Sequence, residues 1–272
     1  MRPKQDRDLG SGDEIGAEMP PDGAAPIFEW RGGQASFRGS VVEFRRVEIA
    51  GMTLQVAAMK DAAELLDEPD FGKRFIENDI APYGVELWPA AIMLAEYLIR
   101  HNQAIASSVG TRPVTAIELG CGLGLVAIVA AKIGWRVTAS DYESTALAFA
   151  GYNARLNAAA VAEWMTLDWH NPPADRRFDV VLGADILYQL VDHGPILRCI
   201  NRMLAPGGTA LIADPNRGVA DRFAQTAGEA GFTVDTVQCA SPDIETRARG
   251  GRIFRLRGGA VMTYPAQRET WQ

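Results

Sequence analysis

The stretch Thr115-Ala116-Ile117-Glu118-Leu119-Gly120-Cys121-Gly122-Leu123-Gly124-Leu125 decides the fold. Its first five residues form a short apolar run suited to a buried strand, and the glycines that follow form a tight turn. Residues 123–133 then read as an apolar helix closed by Gly134. Strand, glycine-rich turn and helix open a βαβ unit, in which a ligand meets the backbone at the carboxyl end of the strand. The spacing here is G-x-G-x-G. A dinucleotide site wants a further glycine where this chain has Leu125. Glu118 stands two places before the first glycine, where its charge would repel a pyrophosphate.

Outward from this turn the chain alternates strand and helix. Strands are expected over 136–140, 163–167, 178–184 and 209–213, and helices over about 144–157, 193–204 and 218–230. Pro206-Gly207-Gly208 turns the chain into the fifth strand, and two closing strands near 232–238 and 251–257 form an antiparallel edge. The expected fold class is therefore α/β: a Rossmann-like, mostly parallel seven-stranded sheet with helices on both faces. Upstream, residues 41–58 read as a hairpin turning at Ala50-Gly51. Residues 61–80 carry spaced apolar positions (Leu65, Leu66, Phe71, Phe75, Ile76) that suggest short helices. Pro89 suits the first turn of a helix running to about residue 101. The expected division is a disordered tail over 1–26, a hairpin and helical extension over 27–110, a ligand-binding core over 111–258 and a tail over 259–272.

The strand ends carry the chemistry. S-adenosylmethionine (SAM) bears a cationic amino group and a sulfonium, and Glu118 is suited to the amino group. Asp141 ends the second strand, where a carboxylate accepts from both ribose hydroxyls. Asp168 follows the third strand and is placed to accept from the adenine amino group, with Trp169 beside it for stacking. For each acid the plainer role is a helix cap or a solvated loop residue. Two features are set aside. Asn171-Pro172-Pro173 is similar to the N-P-P-aromatic motif of DNA amino-methyltransferases, but it precedes the fourth strand and Ala174 replaces the aromatic. His170 is a lone loop histidine, expected to be merely solvated.

Over about residues 41–238 the chain resembles the seven-β-strand, class I protein-lysine methyltransferases. Residues 84–91, Gly-Val-Glu-Leu-Trp-Pro-Ala-Ala, are similar to the family's segment before the core. Residues 118–124 match its SAM loop, and Leu167-Asp168-Trp169 its motif after the third strand. Residues 178–188, Phe-Asp-Val-Val-Leu-Gly-Ala-Asp-Ile-Leu-Tyr, carry its hallmark: an acid, two residues, then an aromatic. The resemblance implies SAM as cofactor, held by Glu118, Gly120, Cys121, Gly122, Gly124, Asp141, Tyr142, Asp168, Trp169 and Ala184. It implies a protein lysine as acceptor. Asp185 would orient the amine or take its proton, and Tyr188 and Trp88 would wall an apolar slot that disfavours the ammonium and adds cation–π contacts. One departure stands after the fifth strand. Asp214-Pro215-Asn216-Arg217 resembles the Asp-Pro-x-Arg of the flavoprotein-modifying branch, whereas the hairpin and the Trp-Pro-Ala-Ala segment look like the chaperone-modifying branch.

Bulk properties narrow the partners. The 272 residues carry a net charge of -7 and no basic cluster, which disfavours nucleic acid. No apolar run approaches a membrane span. The three cysteines, Cys121, Cys199 and Cys239, lie far apart with no metal-ligand spacing. With no leader pattern, these features lead us to expect a cytoplasmic monomer. Three other readings stay open: methylation of a small amine, favoured if residues 59–83 close as a lid; a silent SAM-binding module; and a nicotinamide oxidoreductase, which Glu118 and Leu125 oppose.

Overall fold

A computed structural model describes residues 27–31, 33–67, 83–240 and 250–258. The expected tails over 1–26 and 259–272, and residues 68–82 of the expected helical stretch and lid, lie outside the described residues. Within that stretch Ala62–Asp67 forms a 3-10 turn. The chain opens with β1 (Glu29–Arg31), β2 (Gln34–Phe37), β3 (Ser40–Ile49) and β4 (Met52–Met59), which pair in that order as an antiparallel sheet. The expected hairpin is β3–β4. Ala50 and Gly51 both adopt positive φ, as a tight turn between twisted strands requires. The first two strands leave little trace in the sequence because they are short and do not alternate. They are held from outside: the Phe28 ring lies 5.0 Å from Phe149 and 4.7 Å from Tyr152, centroid to centroid.

The core elements follow: α1 (Pro89–Val109), β5 (Thr115–Leu119), α2 (Leu125–Lys132), β6 (Arg136–Asp141), α3 (Ser144–Leu156), β7 (Glu163–Thr166), β8 (Phe178–Ala184), α4 (His193–Met203), β9 (Leu204–Asp214), α5 (Phe223–Glu229), β10 (Phe232–Cys239) and β11 (Gly251–Gly258). The sheet order is β10-β11-β9-β8-β5-β6-β7, parallel except where β11 inserts between β9 and β10. This is the class I methyltransferase arrangement. Strands covered on both faces can be apolar throughout. In β8, Val180 and Leu182 pack with α1, α2 and α3 on one face, while Val181 packs with α4 and α5 on the other. No helix among the described residues is long and apolar enough to cross a membrane.

Two boundaries differ from expectation for local reasons. Helix α1 runs eight residues past 101, because Asn102 ties it to the turn after α2: its Nδ2 donates to the Ile133 carbonyl (3.2 Å), and its Oδ1 accepts from Trp135 Nε1 (2.7 Å). Strand β9 begins at Leu204, ahead of the glycines. Leu204 pairs with Phe178 and Thr209 with Val180, so residues 205–208 bulge out opposite Asp179. A Cβ on Gly208 would lie 2.7 Å from the Asp179 carbonyl, which explains the glycine.

The small sheet is clamped to the core by two asparagines of one helix turn. Buried Asn153 accepts from Ala57 N–H (2.8 Å) and donates to the carbonyls of Ala57 (3.1 Å) and Leu123 (3.0 Å). Asn157 accepts from Gln55 N–H (2.9 Å) and donates to the Gln55 carbonyl (2.6 Å). Unpaired buried backbone groups cost about 1–3 kcal/mol each. Asn153→Leu is therefore expected to destabilise the fold by about 3 kcal/mol. Urea unfolding would show this as a lower midpoint at constant slope, and an unchanged midpoint would refute the clamp.

Candidate active site

The sheet reverses direction between β5 and β8: the chain leaves β5 toward β6 and β7, and leaves β8 toward β9. A crevice opens at such a switch point, outside the carboxyl ends of the strands. Here it is a cavity of about 330 Å³ lined by Tyr83, Gly84, Trp88, Gly120, Gly122, Asp141, Tyr142, Glu143, Leu167, Asp168, Trp169, His170, Ala184, Asp185, Ile186, Tyr188, Gln189 and Asp192. That size and mixed lining suit a small-molecule site.

The glycine turn forms the floor. Gly120 and Gly122 have φ of 61° and 50°, and a Cβ on either would meet Ile186 Cγ2 at 2.9 Å or the Gly84 carbonyl at 3.2 Å. A side chain at either position would strain the backbone and push into the wall of the cavity. Gly124 serves a different purpose. It faces Ala150 of α3, where an added Cβ would sit 2.8 Å from the alanine Cβ, so it permits close helix packing. Gly84 packs on the same turn, 2.8 Å from Ala146 Cβ if it bore a Cβ of its own. The segment before α1 thus becomes a wall of the site, with Trp88 anchored through Nε1 to the Tyr83 carbonyl (2.8 Å).

The carboxylates divide by role. Asp141 lines the cavity; its Oδ2 accepts from Gly122 N–H and its Oδ1 from Glu143 N–H, both at 2.9 Å. Burial raises its pKa, against the pull of those N–H groups. Each oxygen retains a second lone pair for a further hydrogen bond. Glu118 does not line the cavity. It is 1% exposed beneath the turn, and its Oε2 accepts from Ala127 N–H (2.8 Å) in the first turn of α2. It caps that helix, and burial pushes its carboxyl well above the usual range. Cys121 is likewise buried, its thiol pushed up by burial, and it donates its N–H to the Ser140 carbonyl (2.8 Å). Of the expected cofactor residues, Gly120, Gly122, Asp141, Tyr142, Asp168, Trp169 and Ala184 come together at the cavity, whereas Glu118, Cys121 and Gly124 support it from behind.

The three expected catalytic residues, Asp185, Tyr188 and Trp88, all line the cavity. Asp185 is no helix cap, since α4 starts at His193. It adopts φ of 64°, its N–H donates to the Ala213 carbonyl (2.9 Å), and its buried Oδ2 accepts no hydrogen bond from the described residues. Left-handed backbone at a non-glycine residue is a strained choice that clusters at functional sites. Tyr83 stands edge-on to both Trp88 and Tyr188, with centroids 5.9 Å apart in each pair. His170, set aside in the sequence, is not merely solvated. Its Nδ1 lies 3.1 Å from Asp168 Oδ1 and its Nε2 3.2 Å from Asp192 Oδ1, so it bridges the loops after β7 and β8. Sequence spacing gave no sign of Asp192, whose partner is far away in the chain.

A glycine cradle closed to side chains, a cavity-lining carboxylate at the end of β6 and an aromatic-walled carboxylate after β8 are features that suit a SAM-dependent methyltransferase. The chain belongs to the lysine methyltransferase family, whose model matches residues 73–227. It is 32% identical over 174 residues to the protein N-lysine methyltransferase METTL21A of Mus musculus, covering 60% of this chain and 75% of that one. It is 28% identical to the histone-arginine methyltransferase METTL23 of Rattus norvegicus, covering 43% and 52%. Among solved structures it is similar to the N-methyltransferase NodS from Bradyrhizobium japonicum WM9 in complex with S-adenosylhomocysteine, at 20% identity and a TM-score of 0.47, covering 70% of this chain and 96% of that one.

Asp141→Ala should weaken SAM binding about 30-fold, close to 2 kcal/mol, through loss of its hydrogen bonds. Titration calorimetry would measure this directly, and an unchanged dissociation constant would refute the ribose assignment.

Proposed function

We propose that this enzyme methylates a lysine side chain of a protein substrate, with Asp185 receiving the acceptor nitrogen. The observation that carries this is the unpaired, buried Oδ2 of Asp185, held in strained backbone at the end of β8 beside the rings of Trp88, Tyr83 and Tyr188. When bound, SAM supplies an electrophilic methyl on a sulfonium. Gly120, Gly122, Asp141, Tyr142, Asp168, Trp169 and Ala184, which line the cavity, would hold it there. The transfer is an in-line displacement, so most of the catalytic work is alignment. Asp185 accepts a hydrogen bond from the acceptor nitrogen and fixes its approach. The aromatic rings exclude water and disfavour the ammonium form, whose free pKa is about 10.4.

The mouth of the site supports a macromolecular acceptor. The large apolar side chains exposed among the described residues are Tyr83, Tyr142, Tyr188, Leu190 and Val191. The three tyrosines line the cavity, and Leu190 and Val191 sit on the adjoining 3-10 turn. Large exposed apolar side chains gathered at the mouth of a cavity suit contact with another chain. The free cysteines support a cytoplasmic setting.

Tritiated methyl from SAM, offered to a heat-treated cell extract, should enter protein and appear as methyllysine after acid hydrolysis. Asp185→Asn should slow this about 100-fold, the scale of a misplaced reacting group, while SAM still binds. Label confined to small molecules, or recovered as methylarginine, would overturn the reading.

A further inference from the structure

The turn after β9 delivers a second charged side chain to the acceptor slot. Arg217 Nη1 forms an ion pair with Asp185 Oδ1, and its guanidinium lies 5.7 Å from the centroid of the Trp88 ring. The turn is built to hold it there. Asp214, fully buried at the end of β9, accepts Arg217 N–H (2.9 Å) and Arg252 Nε (3.2 Å) on its Oδ1. Arg252 Nη2 donates to the Arg217 carbonyl (2.9 Å), and its Nη1 to Asp221 (2.9 Å). The Arg217 backbone is thus clamped on both sides, and its side chain is left to reach inward. The family resemblance in Asp214-Pro215-Asn216-Arg217 acquires a physical content: the acid locks the turn and the base faces the site.

We propose that Arg217 is a positioning residue of the acceptor site: paired with Asp185 and held over Trp88, it offsets the carboxylate charge so that the acceptor nitrogen is received as a neutral amine. The proposal rests on the reading of Asp185 as the acceptor-side carboxylate. A lone carboxylate beside a lysine stabilises the ammonium, which has no lone pair and cannot attack. A guanidinium on the same carboxylate cancels that attraction. It does so at every working pH, because arginine does not give up its proton. The buried Oδ2 atom has no hydrogen-bond partner among the described residues, which leaves it as the oxygen to receive the amine. Among the described residues, Asp214 and Arg252 hold the turn that carries Arg217, and the charged and titratable groups lining the cavity with Asp185 are Tyr83, Asp141, Tyr142, Glu143, Asp168, His170, Tyr188 and Asp192.

The test is the pH dependence of methyllysine formation in a heat-treated cell extract, for the parent, Arg217→Gln, Arg217→Lys, Asp185→Asn and the double variant Asp185→Asn/Arg217→Gln. The clamps on Arg217 use its backbone, so the single substitutions spare the turn. SAM affinity within about twofold of the parent, a difference of about 0.4 kcal/mol, checks this. Arg217→Gln should shift the rising limb of kcat up by about one pH unit, a tenfold loss at neutral pH that alkali restores, with KM unchanged or lower. Arg217→Lys should keep most of the parent profile, and Arg217→Gln should add no shift on top of Asp185→Asn. An unmoved limb, a loss equal at all pH values, or an Arg217→Gln enzyme faster than the parent would overturn the proposal; the last would make Arg217 a plug. Full activity in Asp185→Asn would sink the underlying reading as well. A slow Asp185→Asn with an unmoved Arg217→Gln limb would sink this proposal alone.

Discussion

The side-by-side pairing of β5 and β8 is the constraint on which the site depends. Both strands run the same way, and Glu118 pairs with Leu182 and Leu119 with Gly183. The chain must leave them in opposite directions, so the loops that follow the two strands diverge and leave a gap between their ends. Everything at the site borders that gap. The glycine turn rises from β5, Asp185 and the Tyr188 loop rise from β8, and the ends of β6 and β9 stand on either side. The glycines follow from this crowding: Gly183 has Ile186 Cδ1 2.6 Å from where its Cβ would stand, and Gly120 has the Cγ2 of the same isoleucine 2.9 Å away.

Acids stand at the carboxyl ends of these strands: Glu118 within β5, Asp141 and Asp214 as the last residues of β6 and β9, Asp185 just after β8 and Asp168 soon after β7. Burial raises the pKa of Glu118, Asp141 and Asp214, so their ionised forms are costly. Each is supported by backbone N–H groups from a turn it organises: Ala127 for Glu118, Gly122 and Glu143 for Asp141, Arg217 for Asp214. The acids therefore fix the loops around the site, and those facing the cavity favour a cationic ligand. Arg217 is the counterweight on the acceptor side.

Much of this was legible in the chain. The strand β5 and its glycine turn, β8 with Asp185 and Tyr188, and the hairpin β3–β4 all carry local signals: apolar runs of strand length, glycines where φ is positive, and alternation. Other features left no local mark. Strands β1 and β2 owe their position to Phe28 packing on Phe149 and Tyr152, residues more than a hundred positions away. Glu118 reads as a ligand contact because it adjoins the glycines, but a strand directs successive side chains to opposite faces, and this one points under the turn toward Ala127. His170 looks idle until Asp192 is brought beside it.

The sequence by itself determined the fold class, the switch-point turn, the cofactor class and the acidic residue at the end of β8, because these depend on periodicity, backbone freedom and charge within a few residues. Only the tertiary structure decided which acids face the cavity, that Trp88 and Tyr83 share a wall with Tyr188, and that Arg217 meets Asp185. These are contacts between segments whose separation in the chain carries no information about their distance in space. They are set by how two layers of helices pack on one twisted sheet.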